Sequence, residues 1–104
     1  DLLHIGVMVN DLPADSMWSL GGVGDVQFAV TALAVVFGGG VRIGLEDNIW
    51  LDAGRTRLAR NTELLGRVHE VAAMAGRDVM TPPKLRERLR LARGFGEYGR
   101  LPTA

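Results

Sequence analysis

The residues best equipped for chemistry lie in one octapeptide, Val41-Arg42-Ile43-Gly44-Leu45-Glu46-Asp47-Asn48. Its opening residues alternate: Val41, Ile43 and Leu45 share one side of an extended strand, while Arg42, Gly44 and Glu46 share the other. Gly44 leaves space on that side for a ligand, and Asp47 follows Glu46 at the end of the run. A guanidinium on the same strand face as Glu46 favours the ionised form of carboxylates near it. The same pattern also admits an architectural account, in which Arg42 and Glu46 form an ion pair that only sets the strand's register.

Three other groupings carry less specific chemistry. Gly21-Gly22-Val23-Gly24 leads into a helical stretch opened by Asp25, so the amides of Gly22, Val23 and Gly24 could face an anion at a helix N-terminus. The loop equally fits a tight turn that needs glycine dihedrals. It is neither a dinucleotide fingerprint, because Gln27 stands where the third glycine belongs, nor a phosphate loop, because Lys and Ser/Thr are missing. Lys84, Arg86, Arg88, Arg90 and Arg93 make a basic segment without interleaved aromatics, which favours a solvated face or a subunit contact over nucleic acid. The histidines, His4 and His69, fall on helical patterns and read as packed or surface residues. Trp18 and Trp50 flank the strands as packing residues, with Trp50 also suited to lining a substrate mouth.

The elements that must position these groups follow from periodicity. Leu2, Ile5, Val9 and Leu12 form a helical stripe over 1–12 that Pro13 ends. Ser16–Leu20 reads as a short strand. Asp25 can cap a helix whose apolar residues, Val26 to Phe37, surround most of its circumference and predict burial. A second strand follows at Val41–Leu45, then a loop through Asp52. A helix begins near Asn61 and is closed by Gly76, and Thr81-Pro82 opens the basic helix through Arg93. Residues 94–104, GFGEYGRLPTA, read as a flexible tail.

Strands alternating with helices give an α/β protein with parallel pairing. Two strands alone make a poor sheet, so residues 1–93 read as a segment of a larger α/β fold, incomplete as an isolated chain. In a barrel of that class the helices cover the outer strand face and catalytic groups sit at the strands' C-terminal ends. Arg42, Gly44 and Glu46 would then point inward, with Asp47 at the rim.

The 104 residues, 47% of them hydrophobic, suffice for one small domain. Twelve acidic and twelve basic side chains cancel, yet residues 1–54 hold seven Asp/Glu against one Arg and residues 55–104 eleven Arg/Lys against five Asp/Glu. The halves can therefore attract each other or a neighbouring subunit. Without cysteine there is no disulfide framework, thiol nucleophile or Cys-type zinc site, and the cytoplasm is the default compartment. The longest apolar run, Phe28–Phe37, is too short to cross a bilayer. A chain opening on Asp1 rather than Met reads as a processed or truncated piece.

VRIGLEDN, preceded by SMWSLGGVG and followed by IWLDAG and NTELLGRVHEVAAMAGRDVMTP, resembles the C-terminal portion of the beta-keto acid cleavage enzymes over roughly residues 1–93. That resemblance implies the end of a TIM (β/α)8 barrel, a likeness to zinc-dependent, homo-oligomeric enzymes, and an exchange in which a β-keto acid and acetyl-CoA give acetoacetate and a new acyl-CoA. It assigns Glu46 as a zinc ligand, Asp47 as general base and Arg42 as the residue positioning base and substrate. The Gly22-Val23-Gly24 loop would receive the substrate carboxylate or coenzyme A phosphates. The family's His-x-His ligand pair has no counterpart here, so the chain alone is expected to be inactive. The rival reading is a noncatalytic α/β module that oligomerises through its strand edges and basic helices, with no nucleic acid or membrane partner in either case.

Overall fold

The computed structural model describes residues 1–92. Helix α1, Leu2–Asn10, is capped by Asp1, whose Oδ1 accepts from the His4 amide at 3.0 Å, and it carries no buried residue. Strand β1, Ser19–Leu20, leads through the glycine loop into a 3-10 turn, Gly24–Val26, and then helix α2, Gln27–Val36. This helix returns the chain to strand β2, Gly40–Val41, which pairs parallel with β1 in the register Ser19 to Gly40 and Leu20 to Val41. Helices α3, Asn61–Met74, and α4, Pro82–Arg88, follow. The expected α/β segment is thus present as a two-stranded parallel sheet with its crossover helix.

Both strands are shorter than the alternation predicts. Past Val41 one further ladder bond forms, from the Arg42 amide to Leu20 O at 3.0 Å. Beyond it the partner chain has turned away through Gly21 and Gly22, so Ile43–Leu45 have nothing to pair with in β1.

Helix α2 departs from the expected all-round burial. Its buried residues are Gln27, Thr31, Ala34 and Val35, which fall on a single stripe, while Val36 and Phe37 are 63% and 73% exposed. The stripe at i, i+4, i+7 and i+8 is the face that meets the sheet and α3, and the remaining apolar side chains lie off it. Asp25 is not the cap of α2. It lies inside the 3-10 turn and its carboxylate accepts from Arg55 Nη2 at 2.8 Å.

The core is small. Val35, Val71 and Ala72 form its centre, flanked by Ala32, Val41 and Val68, and Leu64 is fully enclosed nearby. A radius of gyration of 16.3 Å exceeds the roughly 13 Å of a compact 100-residue domain, as suits part of a larger unit. Arg77 fastens the turn between α2 and β2: its Nη1 donates to Val35 O at 2.8 Å and Gly39 O at 2.7 Å, satisfying carbonyls at a helix C-terminus where a cation is also favoured.

Two boundaries in the C-terminal part are informative. Gly76, at φ +67°, sits just past the end of α3 as expected. Helix α4 opens on Thr81-Pro82 as predicted but stops at Arg88 instead of Arg93, because Arg90 adopts a left-handed φ of +55°. Arg93 and the 94–104 tail lie outside the described residues.

Gly39 is glycine because Trp18 covers it: a Cβ there would stand 2.2 Å from the Trp18 ring. Gly39→Ala is therefore expected to cost about 1–3 kcal/mol by overpacking, measured by urea unfolding of the full-length protein. Trp18→Leu in the same background should recover part of that loss. An alanine variant as stable as the parent would show that the ring does not seat there.

Candidate functional site

Arg42 gathers the site. Its Nη1 donates to both carboxylate oxygens of Asp47, at 2.9 and 3.1 Å, and its Nη2 donates to Glu46 Oε2 at 2.7 Å. The three residues singled out in the sequence therefore meet at the end of β2. The hydrogen bond to Asp47, then the charges of Asp47 and Glu46, push the guanidinium pKa above its ordinary value and keep it cationic.

The two carboxylates sit in different surroundings. The Asp47 side chain is 11% exposed, whereas that of Glu46 is 80% exposed. One acid is thus sheltered and held through both oxygens, and the other reaches outward with a single tether. An Arg fork of this kind fixes orientation as well as charge.

Because the ladder has ended, side chains hold the backbone that carries these groups. The Gly44 carbonyl accepts from Gln27 Nε2 at 3.0 Å and from the Asp47 amide at 3.2 Å. The Leu45 amide donates to Asn61 Oδ1 at 2.9 Å, at the first residue of α3. The Asp47 carbonyl in turn accepts from the Gly24 amide at 2.7 Å, so the glycine loop meets the site through Asp47's backbone. Gly22 is buried, and a Cβ there would lie 2.7 Å from Gln27 Cα, which makes glycine a packing requirement at that position. Sequence reasoning missed Gln27 and Asn61. The one available signal was an amide side chain on an otherwise apolar helix.

After Asp47 the chain makes a long excursion before α3. Asn48 Nδ2 donates to Trp50 O and its Oδ1 accepts from the Trp50 amide, at 3.0 and 3.1 Å, and Trp50 pairs antiparallel with Leu58. Asp52 gathers the amides of Thr56 and Arg57 and the Thr56 hydroxyl at 2.7–3.1 Å. Trp50 lines an open groove of about 480 Å³ together with Phe28, Arg67, Val71 and Met74. Arg67 stacks over Phe28 at 5.5 Å from the ring centroid. Arg42, Glu46 and Asp47 do not line this groove.

Glu46 is a suitable oxygen donor for a metal ion in type and exposure, but a catalytic zinc takes three protein ligands. Among the described residues no three His, Asp or Glu side chains converge to hold one. His4 is exposed at the start of α1 beside Asp1, and His69 is exposed on α3. No helix of the described residues is long and apolar enough to cross a membrane.

The sequence model of a family described as beta-keto acid cleavage enzyme matches residues 1–91. The chain is 43% identical, over 81% of its length, to a 3-keto-5-aminohexanoate cleavage enzyme of Fusobacterium nucleatum, covering 30% of that protein. It is 34% identical, over 83% of its length, to the enzyme of the same name from Acetoanaerobium sticklandii, covering 31% of it. It is also 34% identical, over 89% of its length, to a 3-dehydrocarnitine:acetyl-CoA trimethylamine transferase of Rhizobium meliloti, covering 30% of it. The chain therefore spans about 30% of the length of the curated relatives it matches.

The Asp52 turn yields a pH test. Hydrogen bonds from the Arg57 amide, the Thr56 hydroxyl and the Thr56 amide lower the Asp52 pKa below its ordinary value. A lowered folded pKa means that the turn's contribution is complete above the ordinary aspartate range and is lost as pH falls through the lowered value. The Thr56 and Arg57 amide resonances should therefore stay constant from neutral pH down through the ordinary aspartate range and move only below it. A transition at or above that range would contradict the assignment.

Proposed function

The chain belongs to the beta-keto acid cleavage enzyme family, and we propose that it forms the C-terminal part of the TIM barrel of a cytoplasmic, homo-oligomeric, zinc-dependent enzyme of that kind. The reaction is an acyl exchange, in which a β-keto acid and acetyl-CoA give acetoacetate and a new acyl-CoA. The Rhizobium relative is named for a transfer involving acetyl-CoA, which supports the co-substrate.

The observation that carries the reading is the Arg42 fork, which brings a sheltered and an exposed carboxylate together at the end of one strand. Glu46, the exposed acid, serves as one zinc ligand, and the His-x-His pair completing the set is not in this chain, whose only histidines are His4 and His69. Zinc in that place would supply Lewis-acid polarisation of the β-keto oxygen. Asp47, fixed by Arg42 through both oxygens, is the general base: its orientation is set before substrate arrives, so it accepts a proton with little reorganisation. Arg42 remains charged throughout and balances the negative charge of the two acids. Gly22, Val23 and Gly24, beside Asp47 and ahead of α2, provide the loop against which the substrate carboxylate or the coenzyme A phosphates rest.

Glu46→Ala in the full-length protein is expected to abolish both zinc binding, about one ion per subunit in the parent, and turnover. Asp47→Asn should retain zinc while lowering kcat by about 10²–10⁴. Metal analysis and the acyl-exchange assay check both. A Glu46→Ala protein that keeps its zinc and its rate would sink the assignment.

A further inference from the structure

We infer that Gln27 and Asn61 are positioning residues for the Glu46–Asp47 pair, acting as two side-chain clamps on the backbone from Gly44 to Leu45. The inference rests on the functional reading above for its effect on rate, and on geometry alone for its effect on the turn.

β2 loses its partner after the Arg42 amide, and a backbone that leaves a ladder must satisfy its carbonyls and amides some other way. Here two amide side chains from different helices do so on consecutive residues. Gln27 Nε2 donates to Gly44 O at 3.0 Å, and Asn61 Oδ1 accepts from Leu45 N at 2.9 Å. Gln27 is 2% exposed, at the first turn of α2, where its neighbour Gly22 leaves room for the helix backbone to approach. Burying a glutamine is costly unless its hydrogen bonds are made, so this contact fixes the rotamer as well as the carbonyl it grips. Asn61 begins α3, the helix whose Leu64, Val71 and Ala72 belong to the buried interior, and so ties the turn to the helix that supplies the core.

The two clamps act before the point where the carboxylates branch off. Gly44 O also accepts from the Asp47 amide, closing the turn that sends Glu46 outward and Asp47 under Arg42. Freeing either end lets that turn pivot, and a displacement of about 1 Å at a reacting group is enough to cost about 10²-fold in rate. Neither Gln27 nor Asn61 touches Arg42, Glu46 or Asp47 through a side-chain hydrogen bond among the described residues. Their effect is therefore on the geometry of the acids.

The test uses the full-length protein with Gln27→Met, Asn61→Leu and Asn61→Asp, of which the last keeps an oxygen to accept from Leu45. Amide hydrogen exchange over 42–48 is read alongside the thermal midpoint and the kinetics of acyl exchange. Gln27→Met and Asn61→Leu should speed exchange of this segment at least tenfold, with exchange in α3 unchanged. They should also lower kcat at least tenfold while KM stays within threefold, and Asn61→Asp should restore both readouts. Unchanged exchange at 42–48 overturns the clamps. Faster exchange with an undiminished kcat overturns their positioning role, and a loss that only follows a fall in the thermal midpoint without rescue by Asn61→Asp makes them merely structural. If the parent itself performs no acyl exchange, the functional reading fails, and the amide-exchange readout still decides whether the clamps hold the turn.

Discussion

Strand β2 makes its last ladder hydrogen bond at Arg42, and after it the Gly44 carbonyl, the Leu45 amide and the Asp47 carbonyl take partners from elsewhere in the chain. Parallel pairing of two residues per strand is too little to aim a side chain, since a two-stranded ribbon is itself marginal. Helices supply what the sheet lacks. Gln27 comes from the start of α2, Asn61 from the start of α3, and the Gly24 amide from the 3-10 turn just ahead of α2. The site is thus suspended from three helical starts that converge on one turn.

This dependence explains what could be read from the sequence and what could not. The octapeptide marks Arg42, Glu46 and Asp47 as chain neighbours, but a strand's period of two would set Asp47 on the face opposite Arg42, and it is the turn closed by the Asp47 amide on Gly44 O that brings both acids to the guanidinium. The residues holding the turn were illegible. Gln27 and Asn61 act through space across 17 and 16 residues, and no local period marks them. The burial of α2 obeys the same division: apolar content records that a helix must be covered, whereas the stripe of Gln27, Thr31, Ala34 and Val35 records by what. Glycines divide the same way. Gly76 announces a helix end in any context, while the need for glycine at 39 becomes visible only once Trp18 lies over it.

Among the described residues most ion pairs lie within one half of the chain or the other. Asp25 and Arg55 do join the acidic half to the basic one, but both side chains are more than half exposed, and such pairs contribute little. Arg57 and Glu63 pair within the basic half, beside the Asp52 turn. The firmer link between the halves is uncharged on one side: Arg77 reaches back to the carbonyls of Val35 and Gly39. Here a cation meets the exposed end of a helix, a geometry that combines hydrogen bonding with the helix dipole.

That Arg77 clasp stands at the beginning of β2, and the carboxylates stand at its far end. The strand is therefore fastened independently at its two ends, Arg77 gripping carbonyls at its start and Gln27 and Asn61 gripping the turn beyond its far end.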